Sequence, residues 1–229
     1  TNVDLEKADL SGATLNGATL TNAILTGADL TGANLIGVLE SDGTTTVANL
    51  TGAKLIKADL TGADLTAANL SNADLTGAKL NTADLENAVL TGAKLIGADL
   101  TGATITNITV DSATDLTSAK LIKADLGSVD LTGVDMEKAD LRGADLTSAT
   151  LVDAILTGAN LIGVLESDGT TTVANLTGAN LTGAKASKVD LTGANLTNAI
   201  IKGADLTGAD LTSATLVGIT ISDTTGTVA

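Results

Sequence analysis

Ala58-Asp59-Leu60-Thr61-Gly62-Ala63-Asp64-Leu65 decides the fold of this chain. Leucine returns after five residues, alanine stands two positions before it, Asp immediately before, and Thr then Gly follow. Apolar residues recur about every 3.6 positions in an amphipathic helix and every 2 in a half-buried strand, so a period of five belongs to neither. Outward from this stretch the register holds from Leu5 to Val110 and again from Leu116 to Ile221, two runs of 22 pentads, 44 in all, of which 34 carry leucine at the centre.

Each pentad thus offers one large and one small apolar group, as in the pairs Ala8/Leu10 and Ala28/Leu30, while its other positions are polar or glycine. Leu and Ala are expected to point inward and the rest to face water. Units that cannot bury their own apolar side do so by stacking, which is the logic of a solenoid. Four pentads to a square turn give about eleven coils, and at about 4.8 Å between stacked strands the rod is about 50 Å long. Glycine near each corner reaches positive φ at no steric cost, and Asp or Asn beside it bonds local amides.

Two interruptions stand out. Glu40 and Thr45 occupy pentad centres within Leu39-Glu40-Ser41-Asp42-Gly43-Thr44-Thr45-Thr46, and the words recur from Leu165 to Thr172. A carboxylate buried without a partner is costly, so loops are expected near 39–46 and 165–172. Each lies inside an identical stretch, Thr31–Ala53 and Thr157–Ala179, offset by 126 residues, which implies an internal duplication. That offset is 25 pentads plus one residue, which sets the two loops about a quarter turn apart and puts a register break near 111–116. Acidic Asp42 and Asp168 read as turn residues, since a calcium site needs six or more converging oxygens.

Composition narrows the chemistry. The 229 residues contain no Cys, His, Pro, Phe, Tyr or Trp, and the net charge is −15. Without Cys or His there is neither a disulfide framework nor the usual nucleophile, general base or soft metal ligand. A filled Leu/Ala axis leaves no pocket to tune a carboxylate, so the reading is of a non-enzyme with no cofactor, no metal and no catalytic residue. The charge argues against direct nucleic-acid binding, which depends on cations at phosphates. No apolar run approaches the roughly 20 residues that span a membrane, so this segment is not expected to insert. The cytoplasm is favoured over the periplasm or export, and the chain is read as one domain, 1–229, a mature product or part of a longer protein.

Ala8-Asp9-Leu10, Ala28-Asp29-Leu30 and Ala63-Asp64-Leu65, with their many relatives, make the chain resemble the pentapeptide-repeat family, whose motif is Ala-(Asp/Asn)-Leu-X-X. The resemblance covers nearly the whole chain and implies an all-β fold, a right-handed quadrilateral parallel β-helix. The style, rich in Ala-Asp-Leu and Thr-Gly-Ala, looks like bacterial arrays abundant in filamentous cyanobacteria. Two departures are the lack of phenylalanine centres and of a recognisable capping helix. What the likeness implies for function is a structural or protein-interaction scaffold. The alternative it implies is an acidic DNA mimic acting on a type II topoisomerase, DNA gyrase.

The core ladder is expected to include Leu10, Leu30, Leu50, Leu70, Leu90, Leu126, Leu146, Leu176 and Leu196. Stacked acid pairs are expected at Asp64/Asp84, Asp125/Asp145 and Asp190/Asp210, with acids on all four faces interleaved with Lys54, Lys94, Lys120 and Lys202. Ile36, Ile56 and Ile96 follow centres that are multiples of 20 apart, with Lys54, Lys57 and Lys94 beside them, and form the candidate surface for an unknown protein partner. Ile24, Val89, Ile155 and Ile200 are also expected to point outward. Ala186 replaces a leucine centre, predicting a narrow void or an inward shift. Leu216–Ile221 is expected to cap the last coil or to stack on another molecule, since open strand edges invite end-to-end association.

Overall fold

The computed structural model describes residues 2–36, 38–39, 45–165 and 167–221. Its regular ladder is built from single-residue parallel bridges, one per pentad, always at the position before the centre: Asp64 pairs with Asp84, Asp84 with Thr104, Asp125 with Asp145. Four pentads therefore separate stacked partners. The stacked acids Asp64/Asp84, Asp125/Asp145 and Asp190/Asp210 are all bridged pairs.

The reason the ladder has one-residue strands lies in the pentad itself. The carbonyl of Leu60 accepts the N–H of Ala63 at 3.0 Å, and Gly62 between them has φ of 64°. A four-residue turn with positive φ only at its third residue is type II, the geometry that favours glycine there. The Oδ1 of Asp59 accepts the N–H of Thr61 at 3.1 Å and its hydroxyl at 2.6 Å, bracing the same turn. That bond explains Asp or Asn before the centre: a short side-chain acceptor reaches the amide two residues on.

Between turns, the backbone alternates direction. Leu60 N–H bonds forward to the carbonyl of Lys79 at 2.7 Å, and Lys79 N–H bonds back to Ala58 at 2.9 Å. Inward-pointing Leu and Ala then form one continuous core in which Leu30, Leu50, Leu70 and Leu146 are completely covered. Burying one such leucine contributes about 1.5–3 kcal/mol. Leu90, Leu126, Leu176 and Leu196 are buried with them, but Leu10, in the first coil, has a neighbour on one side and is only partly covered.

Twice the bridge offset jumps from 20 to 30. Asn34 pairs with Asp64 and Asp145 with Asn175, so ten residues, two pentads, leave the stack each time. They form antiparallel pairs: β1 (Val38–Leu39) with β2 (Thr45–Thr46), and β3 (Val164–Leu165) with β4 (Thr171–Thr172). Glu40, Ser41, Asp42, Gly43, Thr44 and Glu166 lie outside the described residues. The excursions leave from adjacent corners, one between the columns of Asn34 and Asn49, the other between those of Asn160 and Asn175.

At one place the offset is 21: Lys94 pairs with Asp115, Asp99 with Lys120 and Thr104 with Asp125. The extra residue falls in 111–114. Thr114 takes an alanine position, is buried, and donates its hydroxyl to the Leu90 carbonyl at 3.0 Å. At the far end, of the two expectations for Leu216–Ile221, a cap or a surface for stacking, the cap is not formed. The segment continues the ladder, with Thr215 on Asn195 and Thr220 on Ile200, which leaves Leu216 and Ile221 exposed.

Candidate interaction surface

The bridges sort every coil into four faces. Face a carries Asp4, Ile24, Lys54, Asp74 and Lys94; face b Asp9, Asp29, Asp59, Lys79 and Asp99; face c Thr14, Asn34, Asp64, Asp84 and Thr104; these three continue by bridges to the C-terminal end. Face d, with Thr19, Asn49, Asn69, Val89 and Thr109, breaks after Thr109 and resumes with Asp130 on Thr150. With its following turn, each pentad belongs to one face.

Charge is not distributed evenly over them. Of the 12 Lys and Arg residues, all but Lys202 belong to faces a and b. Lys54 and Lys94 lie on face a and Lys120 on face b, so they are not interleaved with the acids of face c. Face c carries Asp64, Asp84, Glu86, Asp125 and Asp145, and no cation among the described residues. The expected mixing of signs around the perimeter is therefore replaced by segregation: two faces of mixed charge and two without basic residues apart from Lys202.

On face b the signs alternate from Asp59 through Lys79, Asp99 and Lys120 to Asp140. Lys79 Nζ reaches Asp59 at 2.8 Å and Lys120 reaches Asp99 at 3.3 Å, each from the next coil, and Arg142 pairs with Asp140 at 2.7 Å. The Lys79 ammonium and the Thr61 hydroxyl hold the Asp59 carboxyl below its ordinary range, and Asp59 in turn raises Lys79. Burial opposes ionisation at Asp99, but bonds from Thr101 and Lys120 win and lower it. Elsewhere a turn hydroxyl and amide suffice: Ser11 lowers Asp9, Thr207 lowers Asp205 and Thr212 lowers Asp210. These shifts come from turn bracing and surface pairing. No group of three or more acidic side chains among the described residues is arranged to hold a metal ion.

The aliphatic stripe is corrected by the excursion at 36–46. Ile56 and Ile96 do share face a, with Thr76 between them, because Lys54 stacks on Asp74 and Asp74 on Lys94. Ile36 follows Asn34 and Leu35 and belongs to face c, half a turn away, since ten residues leave the stack before Leu50. Ile96 is exposed, Ile36 and Ile56 half-buried. Ile24, Val89, Ile155 and Ile200 are likewise half-buried at bridge positions.

Sequence reasoning placed no weight on Leu165. Its side chain in β3 is 74% exposed, while the leucine centres between Leu20 and Leu196 are buried. The signal was available, because Leu165 stands immediately before the polar centre Glu166, a position that elsewhere holds mostly Asp, Asn, Thr or Lys. Beneath that hairpin sits Gly143, where a Cβ would lie 3.1 Å from the Thr172 carbonyl oxygen and 3.2 Å from Val164 Cγ2.

A stack of turn-braced pentads around a Leu/Ala core is what the pentapeptide-repeat family builds, and the comparisons agree. The family model described as pentapeptide repeats matches eight copies over residues 1–38, 48–81, 68–107, 112–147, 124–163 and 174–218. The chain belongs to the pentapeptide-repeat family. It is similar to HetL, a pentapeptide repeat protein involved in heterocyst differentiation regulation from the cyanobacterium Nostoc sp. strain PCC 7120, with 34% identity, 97% of this chain and 90% of that one covered, and a TM-score of 0.51. It shares its fold with QnrB1, a plasmid-mediated fluoroquinolone resistance protein, at 17% identity, 84% and 88% coverage and a TM-score of 0.56. No curated protein matches the chain. These neighbours make it an all-β solenoid, and no helix among its described residues is long and apolar enough to cross a membrane.

Proposed function

We propose that the protein is a non-enzymatic interaction scaffold, a rod that presents different surfaces on different sides to protein partners. The observation that carries this reading is the segregation of charge: cations collect on faces a and b, and face c has none. A surface serving solubility alone mixes both signs, whereas complementary potentials steer partners and fix their orientation. The candidate contact is Ile56 and Ile96 on face a, flanked by Lys54, Lys57 and Lys94. Likeness to HetL, a regulatory protein by its description, supports a role through binding. The proposal includes one domain, 1–229, wound as a right-handed quadrilateral helix, cytoplasmic, without cofactor and without direct contact to nucleic acid. Its coils number about ten, because the two excursions take four of the 44 pentads out of the stack.

Photo-crosslinking in cells tests the reading. Crosslinkers at Ile56 and Ile96 should capture a defined partner that crosslinkers at Thr66 and Thr106 of face c do not. Equal capture from both faces, or none, overturns it.

A second reading is favoured by face c. A side with Asp64, Asp84, Glu86, Asp125 and Asp145 and no cation among the described residues, although Thr104 divides it and the two excursions border it, is what a mimic of DNA would offer to a type II topoisomerase. Inhibition of gyrase supercoiling at low micromolar concentration, absent with a charge-matched acidic control and lost when Asp64, Asp84, Asp125 and Asp145 become Asn, would put this reading first.

A further inference from the structure

Backbone bonds between the fifth and sixth rungs weaken in order around the perimeter. On face a, Leu95 N–H bonds to Asp115 at 2.7 Å, and on face b, Leu100 N–H bonds to Lys120 at 2.7 Å. On face c the same bond, Ile105 to Asp125, stretches to 3.1 Å and its return partner, Asp125 to Ala103, to 3.2 Å. On face d, among the described residues, no backbone bond joins Val110 and Asp130 in either direction. The rungs above and below are whole on that face: Leu90 to Thr109 and Leu131 to Thr150 are both 2.7 Å. The gap between rungs is therefore a wedge, closed at faces a and b and open at d.

Two further features coincide with it. The wedge opens as a surface cleft of about 500 Å³ lined by Val110, Asp111, Asp130, Thr132 and Asp153. Behind it a small apolar void lies among Leu90, Ile105, Ile108, Val110 and Leu116. Asp111, Asp130 and Asp153 share the mouth, and like charges resist its closing.

We propose that this junction is a hinge: the rod bends between Val110 and Asp130, with faces a and b as the hinge line and the cleft on face d as the gap that widens and narrows. The unpaired rung lets two otherwise rigid stacks, each coil tied only to its neighbours, change their mutual angle. Hinges are a few residues that absorb a large backbone change between packed bodies. Here the six-residue spacing from Val110 to Leu116 supplies them. The inference does not depend on which partner the scaffold binds.

The chain has no cysteine, so spin labels can be placed cleanly. A pair at Thr51→Cys and Val152→Cys on face d, and a second at Thr26→Cys and Glu137→Cys on face a, each span five rungs, about 24 Å at the usual strand spacing. The hinge predicts a broad distance distribution for the face d pair and a narrow one for the face a pair. Deleting Ser112, which restores the five-residue period, should narrow the first to match the second. Equally narrow distributions in the intact chain overturn the proposal. Should the deletion fail to fold, hydrogen exchange on the intact chain decides: the amides of 105–113 must exchange faster than those of 85–93, one rung earlier, and equal protection refutes the hinge.

Discussion

The carboxylate of Asp111 accepts the backbone N–H of Gly92 at 2.9 Å. In regular coils a backbone carbonyl does this, as Thr91 does for Asn72 at 2.8 Å. The extra residue has pulled the carbonyl out of line and a side chain has replaced it. The same Oδ1 takes the N–H of Ala113 at 3.2 Å, so one acid splices two coils and closes its own turn. These amides hold the Asp111 carboxyl below its ordinary range, with the Gly92 bond the main cause.

Replacing Asp111 with Ala leaves the Gly92 amide without its acceptor and should destabilise the protein by about 1 kcal/mol, the net worth of a typical hydrogen bond. Asp111→Asn keeps an acceptor oxygen and should lose less. Urea unfolding of the three proteins checks the order. Equal stability of the wild type and the alanine variant would contradict the splice.

Acid should weaken the fold below about pH 4. Asp9, Asp59, Asp111, Asp205 and Asp210 are all lowered from the ordinary value of 3.8. A carboxyl lowered on folding adds stability that is complete above its unfolded value and is lost as pH falls through its folded one. Melting temperatures by circular dichroism should therefore fall from pH 4 to 2. Asp111→Asn should flatten part of that fall.

Thr82 has φ of 56°, a left-handed conformation that is strained for a β-branched residue. Thr82→Gly should stabilise by about 1 kcal/mol, the strain relieved less the added flexibility of the unfolded chain. Denaturant titration measures it, and a destabilised variant would show that the bond from the Thr82 hydroxyl to the Asn81 carbonyl, 2.6 Å, outweighs the strain.

Gly143→Ala and Gly12→Ala separate backbone strain from crowding. Both glycines have nearly the same φ, 63° and 62°, but a Cβ at Gly12 meets nothing within 4 Å whereas at Gly143 it meets the β3–β4 hairpin. The first substitution should cost more by about 1–3 kcal/mol, the range for overpacking. It should also raise proteolysis near Leu165. Equal costs would mean the hairpin yields freely.

Ala186 is buried at a position where leucine is the rule. Ala186→Leu should be tolerated or stabilising, whereas Leu60→Ala, at a fully covered centre, should cost about 2–5 kcal/mol. A marked loss in Ala186→Leu would show that its neighbours, with valine rather than alanine at Val189, have already closed over the space.

The inward Leu and Ala columns, the Asp-braced turns and the stacked acid pairs were legible because they are local, repeating within five residues or one coil. Which columns share a face was not. Counting in twenties put Ile36 with Ile56, yet the chain leaves the stack at β1–β2 and returns half a turn displaced. Only the pairing of Asn34 with Asp64 reveals it. Segregation of the lysines was hidden for the same reason. At the register break, one surplus residue was visible in the spacing from Val110 to Leu116, but not where the strain would be released, since that depends on bonds between coils.

The backbone ladder repeats from rung to rung, but the side chains it carries do not. A partner gripping face a meets Ile24, Lys54, Asp74 and Lys94 on successive rungs, so each step along the rod reads differently. The antiparallel pairs β1–β2 and β3–β4, which leave from adjacent corners, add two further marks, and the number of rungs between them is a length. The proposed hinge at Val110–Asp130 lies between β1–β2 and β3–β4, so bending there alters the angle between the two pairs and leaves the number of rungs unchanged: along the rod, spacing is kept while orientation is free to vary.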